Sequence, residues 1–388
     1  MTVSAPGLVK DLQRQVSTLE DDLRRQATAL PDLATSLRAE YDGARAAGRT
    51  AEEWPAWLDA QVTQAAVAWV LACVFVRFCE DNDLVDRRWL AGVADSHGDG
   101  LARAVDAQGA WIQANPRDNE RGWLREAFGW LRSTRAGAAL VDEHNPVWRW
   151  DVSADAAAAL LAFFRRRDAE GRLVHSFDRR AGGGPDTRFL GDLYQDLSEA
   201  ARKRYALLQT PEFVEEFILD RTLTPALAEF GLDGFRLIDP TCGSGHFLLG
   251  AFARLYTAWS LERPGMGSRE RVQAALDSVY GVDVNPFAAA IAKFRLIVAA
   301  LNVEGLTRLD SAPAYRLHVG TGDSLLWQQG RQGELTFDNR GLGEHQYATE
   351  DLHEHPGILA PGRYHVVVGN PPYITVKDKA LNDAYRAA

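Results

Sequence analysis

The sequence predicts an α/β protein, a helical N-terminal region followed by strands and helices that alternate around a parallel sheet. Three observations predict it. Leu8, Leu12, Val16, Leu19 and Leu23 follow one another at helical spacing, and Leu30, Leu33 and Leu37 continue the pattern. From Phe235 to Val319, short strand-like runs end at Gly or Asp and lead into turns or Ala- and Leu-rich helical stretches. Finally, Val366, Val367 and Val368 form a β-branched run stopped by Gly369, Pro371 and Pro372, and proline forbids both helix and further ladder pairing. Such a run reads as a buried parallel strand, and ligands of open α/β sheets bind at the C-terminal tips of such strands.

The 388 residues suffice for two domains, and 46% hydrophobic with 25% charged residues is an ordinary globular balance. A net charge of −10 excludes a wholly basic nucleic-acid coat and leaves room for a local basic channel. Cys73, Cys79 and Cys242 form neither a disulfide framework nor a spaced zinc pair, which fits a reducing, cytoplasmic setting. Polar and charged residues follow closely on Met1, unlike a secretory signal. The most apolar stretch, residues 65–76, reads as too short to span a bilayer, so a buried helix and no membrane contact are expected.

Taken in order, Pro31 should split the first leucine stripe into two helices, packed on their own domain rather than on a partner. Residues 69–84 are apolar nearly all round and end in Glu80-Asp81-Asn82-Asp83-Leu84, as a central helix with an acidic tail would be. Trp111, Trp123, Trp130, Trp148 and Trp150 read as core residues first and base-stacking platforms second. Arg165, Arg166, Arg167, Arg179 and Arg180 read as a solvated helix end or as phosphate contacts. The boundaries expected are a helical N-terminal domain over residues 1–180, a linker and connecting helix over 181–204, and a second domain over 205–388. Thr210 suits a helix N-cap and Pro211 the first helical position.

The chemistry gathers at turns. An Asn370 side-chain oxygen and the Pro371 carbonyl both accept hydrogen bonds from an exocyclic amino group, and proline offers no competing donor. Accepting both N–H protons keeps electron density on the nitrogen as it attacks an electrophile. Tyr373 adds a flat face for a planar base. Upstream, residues 235–249 read as strand, Gly-rich turn and helix, lacking the third glycine of a dinucleotide fingerprint and the Lys-Ser/Thr of a phosphate loop. An acidic residue at the end of a second strand is well placed to take two ribose hydroxyls, and the run over residues 278–286 carries Asp283, for which a helix N-cap is the alternative and Asn285 competes. Asp323 follows a third strand over residues 315–319. His246 reads as loop structure, and His345, His353 and His355 lack metal-ligand spacing, so no metal is expected.

Asn370-Pro371-Pro372-Tyr373 resembles the catalytic motif of adenine-N6 and related amino-methyltransferases, and residues 239–245 resemble their S-adenosylmethionine-binding motif. Tyr205 with Thr210 and Pro211 resembles the element that opens their catalytic domain, and the acidic tail at Glu80 resembles a helix ahead of that domain in large restriction-modification-type enzymes. With this motif order the chain resembles the PglX-type adenine-specific DNA methyltransferases of phage growth limitation and bacteriophage exclusion systems. The resemblance implies a Rossmann-like, S-adenosylmethionine-dependent methyltransferase domain behind the helical one. It assigns the cofactor to Thr210, Pro211, Asp239, Pro240, Thr241, Gly243, Gly245, Asp283 and Asp323. Asp239 and the Gly243–Gly245 backbone would face the methionine end, Asp283 the ribose, and Asp323 the adenine amino group. Catalysis falls to Asn370, Pro371, Pro372 and Tyr373 acting on an adenine flipped from double-stranded DNA, with other phage-defence proteins as partners. The same motif serves methyltransferases of protein glutamine or of RNA, and a non-catalytic defence scaffold is the alternative of another class. Fifteen residues follow Tyr373, so the sheet is expected to be incomplete, its valine strand an unpaired edge, and the chain a fragment of limited activity.

Overall fold

The structure is a computed structural model that describes residues 5–92, 99–178, 180–181, 184–197, 210–327, 347–371, 376 and 378–387. It divides into two compact units, each built from separated stretches of chain. The first unit comprises Met1–Thr35, Leu58–Ala200 and Leu306–Pro313; the second comprises Ser36–Trp57, Ala201–Gly305 and Ala314–Ala388.

The first unit is helical. Helices α1 (Ala5–Ala29) and α2 (Pro31–Ala46) are divided at Pro31 as the sequence predicts, and α2 runs on into the second unit. The stripe Leu8, Leu12, Val16, Leu19 and Leu23 is buried, so α1 spends its apolar face on its own unit. Helices α3 (Trp54–Asp81), α4 (Gly100–Ala114), α5 (Glu120–Ser133), α6 (Ala154–Arg165) and α7 (Arg188–Leu197) follow. Two-residue strands β1 (Arg180–Ala181) and β2 (Gly184–Pro185) pair antiparallel before α7.

Helix α3 corrects the expectation drawn from its apolar run. It extends well beyond residues 65–76 and is long and apolar enough to cross a membrane, yet 94% of its apolar window is buried inside the structure. Its acidic tail explains why charges end a core helix. Glu80, fully buried, accepts the backbone N–H groups of Trp89, Leu90 and Ala91. Asp81 accepts the Phe177 N–H at 2.8 Å and pairs with the buried Arg77 guanidinium at 2.8 Å. Arg77 in turn donates to the carbonyls of Phe164 and His175. These ions therefore satisfy loop amides and carbonyls that burial would otherwise leave unpaired.

The tryptophans belong to this core. Trp69 packs on Phe128 and donates to the Trp150 carbonyl at 2.7 Å, and Trp123 packs on Trp89 and donates to its carbonyl at 3.0 Å. In the arginine cluster the side chains of Arg165, Arg166 and Arg167 are described, and each has partners. Arg165 donates to Leu90, Gln108 and Trp89, Arg166 pairs with Asp11 and Arg167 with Asp99, while Arg179 lies outside the described residues.

The second unit carries a four-stranded parallel sheet. Its strands are β3 (Leu237–Asp239), β4 (Val279–Asp283), β5 (His318–Thr321) and β6 (Val366–Val367), in spatial order β5-β4-β3-β6. Helices α8 (Glu212–Arg221), α9 (Leu223–Phe230), α10 (His246–Glu262), α11 (Ser268–Leu276), α12 (Pro286–Glu304) and α13 (Lys379–Ala387) accompany it. The core joins Leu237, Val279, Val319 and Val366 of the strands to Phe247, Leu248 and Phe252 of α10 and Leu296 of α12. The fold class is α/β, as predicted.

Three local expectations shift. The third strand starts at His318 rather than at Tyr315, because the Arg316 N–H is taken by the Gln273 side chain at 3.0 Å instead of a neighbouring strand. Thr210 is not the N-cap; Pro211 takes that position without a side-chain cap, and α8 begins at Glu212. The valine strand is paired on one side, with Leu237 opposite Val366 and Ile238 opposite Val367, and it ends the sheet among the described residues. Val366 and Val368 are buried while Val367 is 64% exposed, so one face of this strand is covered rather than two.

Replacing Glu80 by Ala strands three buried amides and leaves Arg77 with Asp81 as its one paired carboxylate among the described residues. We expect a loss of about 3 kcal/mol in unfolding free energy by urea denaturation, whereas a loss below about 1 kcal/mol would show that the loop rearranges.

Candidate functional site

Parallel pairing puts the carboxyl ends of all four strands on one edge of the sheet. Spatial order reverses between β3 and β6, since β4 and β5 lie to one side of β3 and β6 to the other. In open α/β sheets the crevice at such a reversal is where ligands sit. The loops leaving β3 and β6 carry the glycine-rich motif and Asn370.

The turn after β3 is fixed from three sides. Asp239 accepts the Thr241 N–H at 3.0 Å, Cys242 donates its N–H to the Val282 carbonyl at 2.9 Å, and the Asp283 carboxylate accepts the Gly243 N–H at 2.8 Å. Two glycines here do different work. Gly245 has φ +83°, and a Cβ there would meet Ala292 Cβ at 2.9 Å, so α12 presses directly on the backbone. Gly243 has φ +53° and a Cβ there would meet nothing, which leaves open space beside its backbone. From below, the buried Arg295 guanidinium donates to the Ser244 carbonyl at 2.6 Å. Arg295 was missed in the sequence, although an arginine inside the apolar run of α12 was the available signal.

Asp283 uses its other oxygen to accept the Asn285 N–H at 2.8 Å, and Asn285 itself caps α12 by accepting from Phe287 and Ala288. The N-cap alternative for Asp283 is thereby excluded. Gly322 N–H donates to the Asp283 carbonyl at 2.9 Å, tying the third loop to the second strand. Asp323 accepts the N–H groups of Leu325 and Leu326 at 2.9 and 3.0 Å and the Tyr385 hydroxyl. Nearby, the buried Asp351 accepts from Lys293 at 2.9 Å and from the Thr321 N–H. A Cβ on Gly320 would lie 3.1 Å from both His355 and Leu352, so the chain after residue 347 packs closely on β5. His246 begins α10 and is buried.

The fourth tip adjoins the first. A Cβ on Gly369 would meet Asp239 Oδ1 at 3.0 Å and Thr241 Oγ1 at 3.2 Å. Asn370 Nδ2 donates to Thr210 Oγ1 at 3.3 Å. Thr210, assigned to the cofactor by resemblance, thus contacts the asparagine that the same resemblance assigns to catalysis. Pro371 is exposed, whereas Pro372, Tyr373, Tyr205 and His345 lie outside the described residues. The structure gathers Thr210, Pro211, the 239–245 turn, Asp283, Asp323 and Asn370 in one unit.

Burial raises two of the acids. The Asp239 carboxyl is pushed up to about 7 by burial, with the Thr241 N–H opposing and the Asp283 charge assisting. Asp283 is pushed up to about 6 by burial, against the N–H groups of Asn285 and Gly243.

Comparison with known proteins adds the lineage. Over 396 residues the chain is 53% identical to the adenine-specific methyltransferase PglX of Streptomyces coelicolor, covering 99% of this chain and 32% of that protein. This chain is a relative of the PglX-type methyltransferases. It spans about a third of the length of its PglX relative, 32%. Residues 277–388 match the family of Eco57I restriction-modification methylases. A 104-residue stretch is 36% identical to a putative type II restriction enzyme and methyltransferase of Methanocaldococcus jannaschii, covering 24% of this chain and 9% of that one. Among solved structures, the ATP-dependent Type ISP restriction-modification enzyme LlaBIII bound to DNA is similar, with a TM-score of 0.47 and 13% identity over 96% of this chain and 20% of that one.

The raised Asp239 gives a signed pH dependence. The folded protein keeps a proton that the unfolded chain releases near its ordinary value, so this contribution is full below about pH 4 and is lost as pH rises towards 7. Comparing wild type with Asp239→Asn by urea unfolding at about pH 4.5 and 7.5 should show wild type losing more stability on going to the higher pH. Parallel pH profiles would overturn the assignment.

Proposed function

We propose that this chain forms the cofactor-binding and catalytic part of a site-specific DNA adenine-N6 methyltransferase of a phage-defence system, using S-adenosylmethionine. The observation that carries the reading is the meeting of the two loops at the strand-order reversal. There Gly369 leaves its Cα against Asp239 and Thr241, and Asn370 follows at once. A cofactor-binding turn and an amino-orienting asparagine need this proximity if a methyl group is to pass from one to the other.

The residues fit the cofactor. The space beside Gly243 accepts a ligand against bare backbone, and the acidic strand tips supply acceptors for hydroxyl and amino donors. Asp239 and residues 240–245 would hold the methionine end, Asp283 the ribose and Asp323 the adenine. When bound, S-adenosylmethionine supplies an electrophilic sulfonium methyl group.

Asn370 orients the target. Its Nδ2 is given to Thr210 Oγ1, which leaves Oδ1 as the acceptor for the target. Oδ1 and the Pro371 carbonyl take the two N–H protons of the adenine amino group and hold its nitrogen in line for transfer. Tyr373 stacks on the flipped base. Positioning of this kind supplies much of the rate. The protein acts in the cytoplasm on double-stranded DNA, alongside other defence proteins.

The test is N6-methyladenine mapping of DNA from cells expressing the longest reading frame that contains this chain. Methylation at one sequence motif is expected, and its absence, with methylated protein or RNA in its place, would overturn the reading. Asn370→Ala should abolish transfer with cofactor affinity retained; loss of both together would refute the division of roles. For Thr210→Val we expect kcat to fall by about tenfold with cofactor Kd unchanged, and Thr210→Ser to restore it. A weaker cofactor Kd in Thr210→Val would instead return that residue to the cofactor.

A further inference from the structure

Asp323 is held on nearly every side. A carboxylate offers about four acceptor positions. Both positions on Oδ1 are taken by the N–H groups of Leu325 and Leu326, and one on Oδ2 by the Tyr385 hydroxyl. Among the described residues one position remains, on Oδ2, for a single N–H donor.

Tyr385 is delivered there by a braced element. It lies on α13, whose first turn is capped by Asp378, with Oδ1 accepting from Ala380 at 2.9 Å and Leu381 at 3.2 Å. The same carboxylate reaches out of the helix, and its Oδ2 accepts the Thr50 hydroxyl at 2.7 Å and the Ala51 N–H at 2.8 Å. Next to that anchor Arg49 grips Glu350 through two nitrogens and stacks over Tyr347 at 4.6 Å. Burial and the neighbouring Asp323 push the Tyr385 phenol up, so it keeps its proton and remains a donor.

We propose that Tyr385 is a positioning residue that aims the last free acceptor of Asp323 at the cofactor's adenine amino group, and so sets a preference for a 6-amino over a 6-oxo purine. The inference rests on the reading of Asp323 as the adenine contact. A 6-amino group offers an N–H to this acceptor, whereas a 6-oxo group presents an oxygen to a carboxylate and is repelled. Without the phenol the carboxylate loses the bond that fixes its second oxygen.

Binding alone tests this, with the 388-residue chain itself. Titration calorimetry with S-adenosylhomocysteine and with its deaminated, hypoxanthine analogue should show wild type preferring the former. In Tyr385→Phe, affinity for S-adenosylhomocysteine should fall by about tenfold while that for the analogue changes little, so the preference collapses. Equal weakening of both ligands, or of neither, overturns the role of Tyr385; a thermal melt beside each titration identifies a variant that has merely unfolded. Asp378→Ala, which releases the same helix from Thr50 without touching Asp323, should then give the same collapse in milder form. Asp323→Asn separates the two layers of the argument. If it abolishes the preference and Tyr385→Phe does not, only the tyrosine is refuted; if wild type shows no preference, or Asp323→Asn leaves it intact, the adenine reading itself falls and the tyrosine proposal with it.

Discussion

The bond between the Asp283 carboxylate and the Gly243 N–H, 2.8 Å long, couples the tips of two neighbouring strands. Everything at the site depends on that coupling. A glycine turn alone is floppy, because glycine surrenders the most backbone freedom on ordering. Here it is stapled by an acid from β4, by the Val282 carbonyl and by Arg295 beneath. In turn Asp283 is steadied by Asn285, and its own carbonyl holds Gly322 at the third tip. The parallel sheet aligns the strand ends; these bonds make the ends a single rigid rim.

Much of this rim was legible in the sequence because each piece combines an apolar run with a stop. The valines before Gly369, the run before Asp239 and the run before Asp283 all state both strand and tip. What the sequence hid were contacts across long separations. Nothing local to Thr210 announces Asn370, 160 residues away, and the cap geometry that a Thr-Pro pair suggests gave way to that contact. The strand at Tyr315 was misplaced for a similar reason, since Gln273 takes the Arg316 amide from another element. Val367 was read as buried from its run of valines, but its side chain lies on the face of the strand that is left uncovered.

The helical unit shows how charge is used where water is absent. Arg77, Glu80 and Asp81 sit fully buried, yet their partners are mostly backbone groups of loops that cross the end of α3. An apolar substitute would bury as well but would leave those amides and carbonyls unmet. The arginines after α6 follow the same logic, being committed to acids and carbonyls within their unit.

The order in which the ribosome releases the chain now matters. Thr50 and Asp378 meet across 328 residues, and Arg49 and Glu350 across 301. At roughly 5–20 residues per second, the early segment waits on the order of half a minute for its partners to emerge. During that interval the loop at Arg49 has neither of its acids, and the bonds that anchor the first turn of α13 to Thr50 and Ala51 are unmade. Such distant pairings also slow the search for the native state once the chain is complete. Until residue 378 has emerged, the nascent chain is thus exposed at residues 49–51 to proteolysis and to wrong partners.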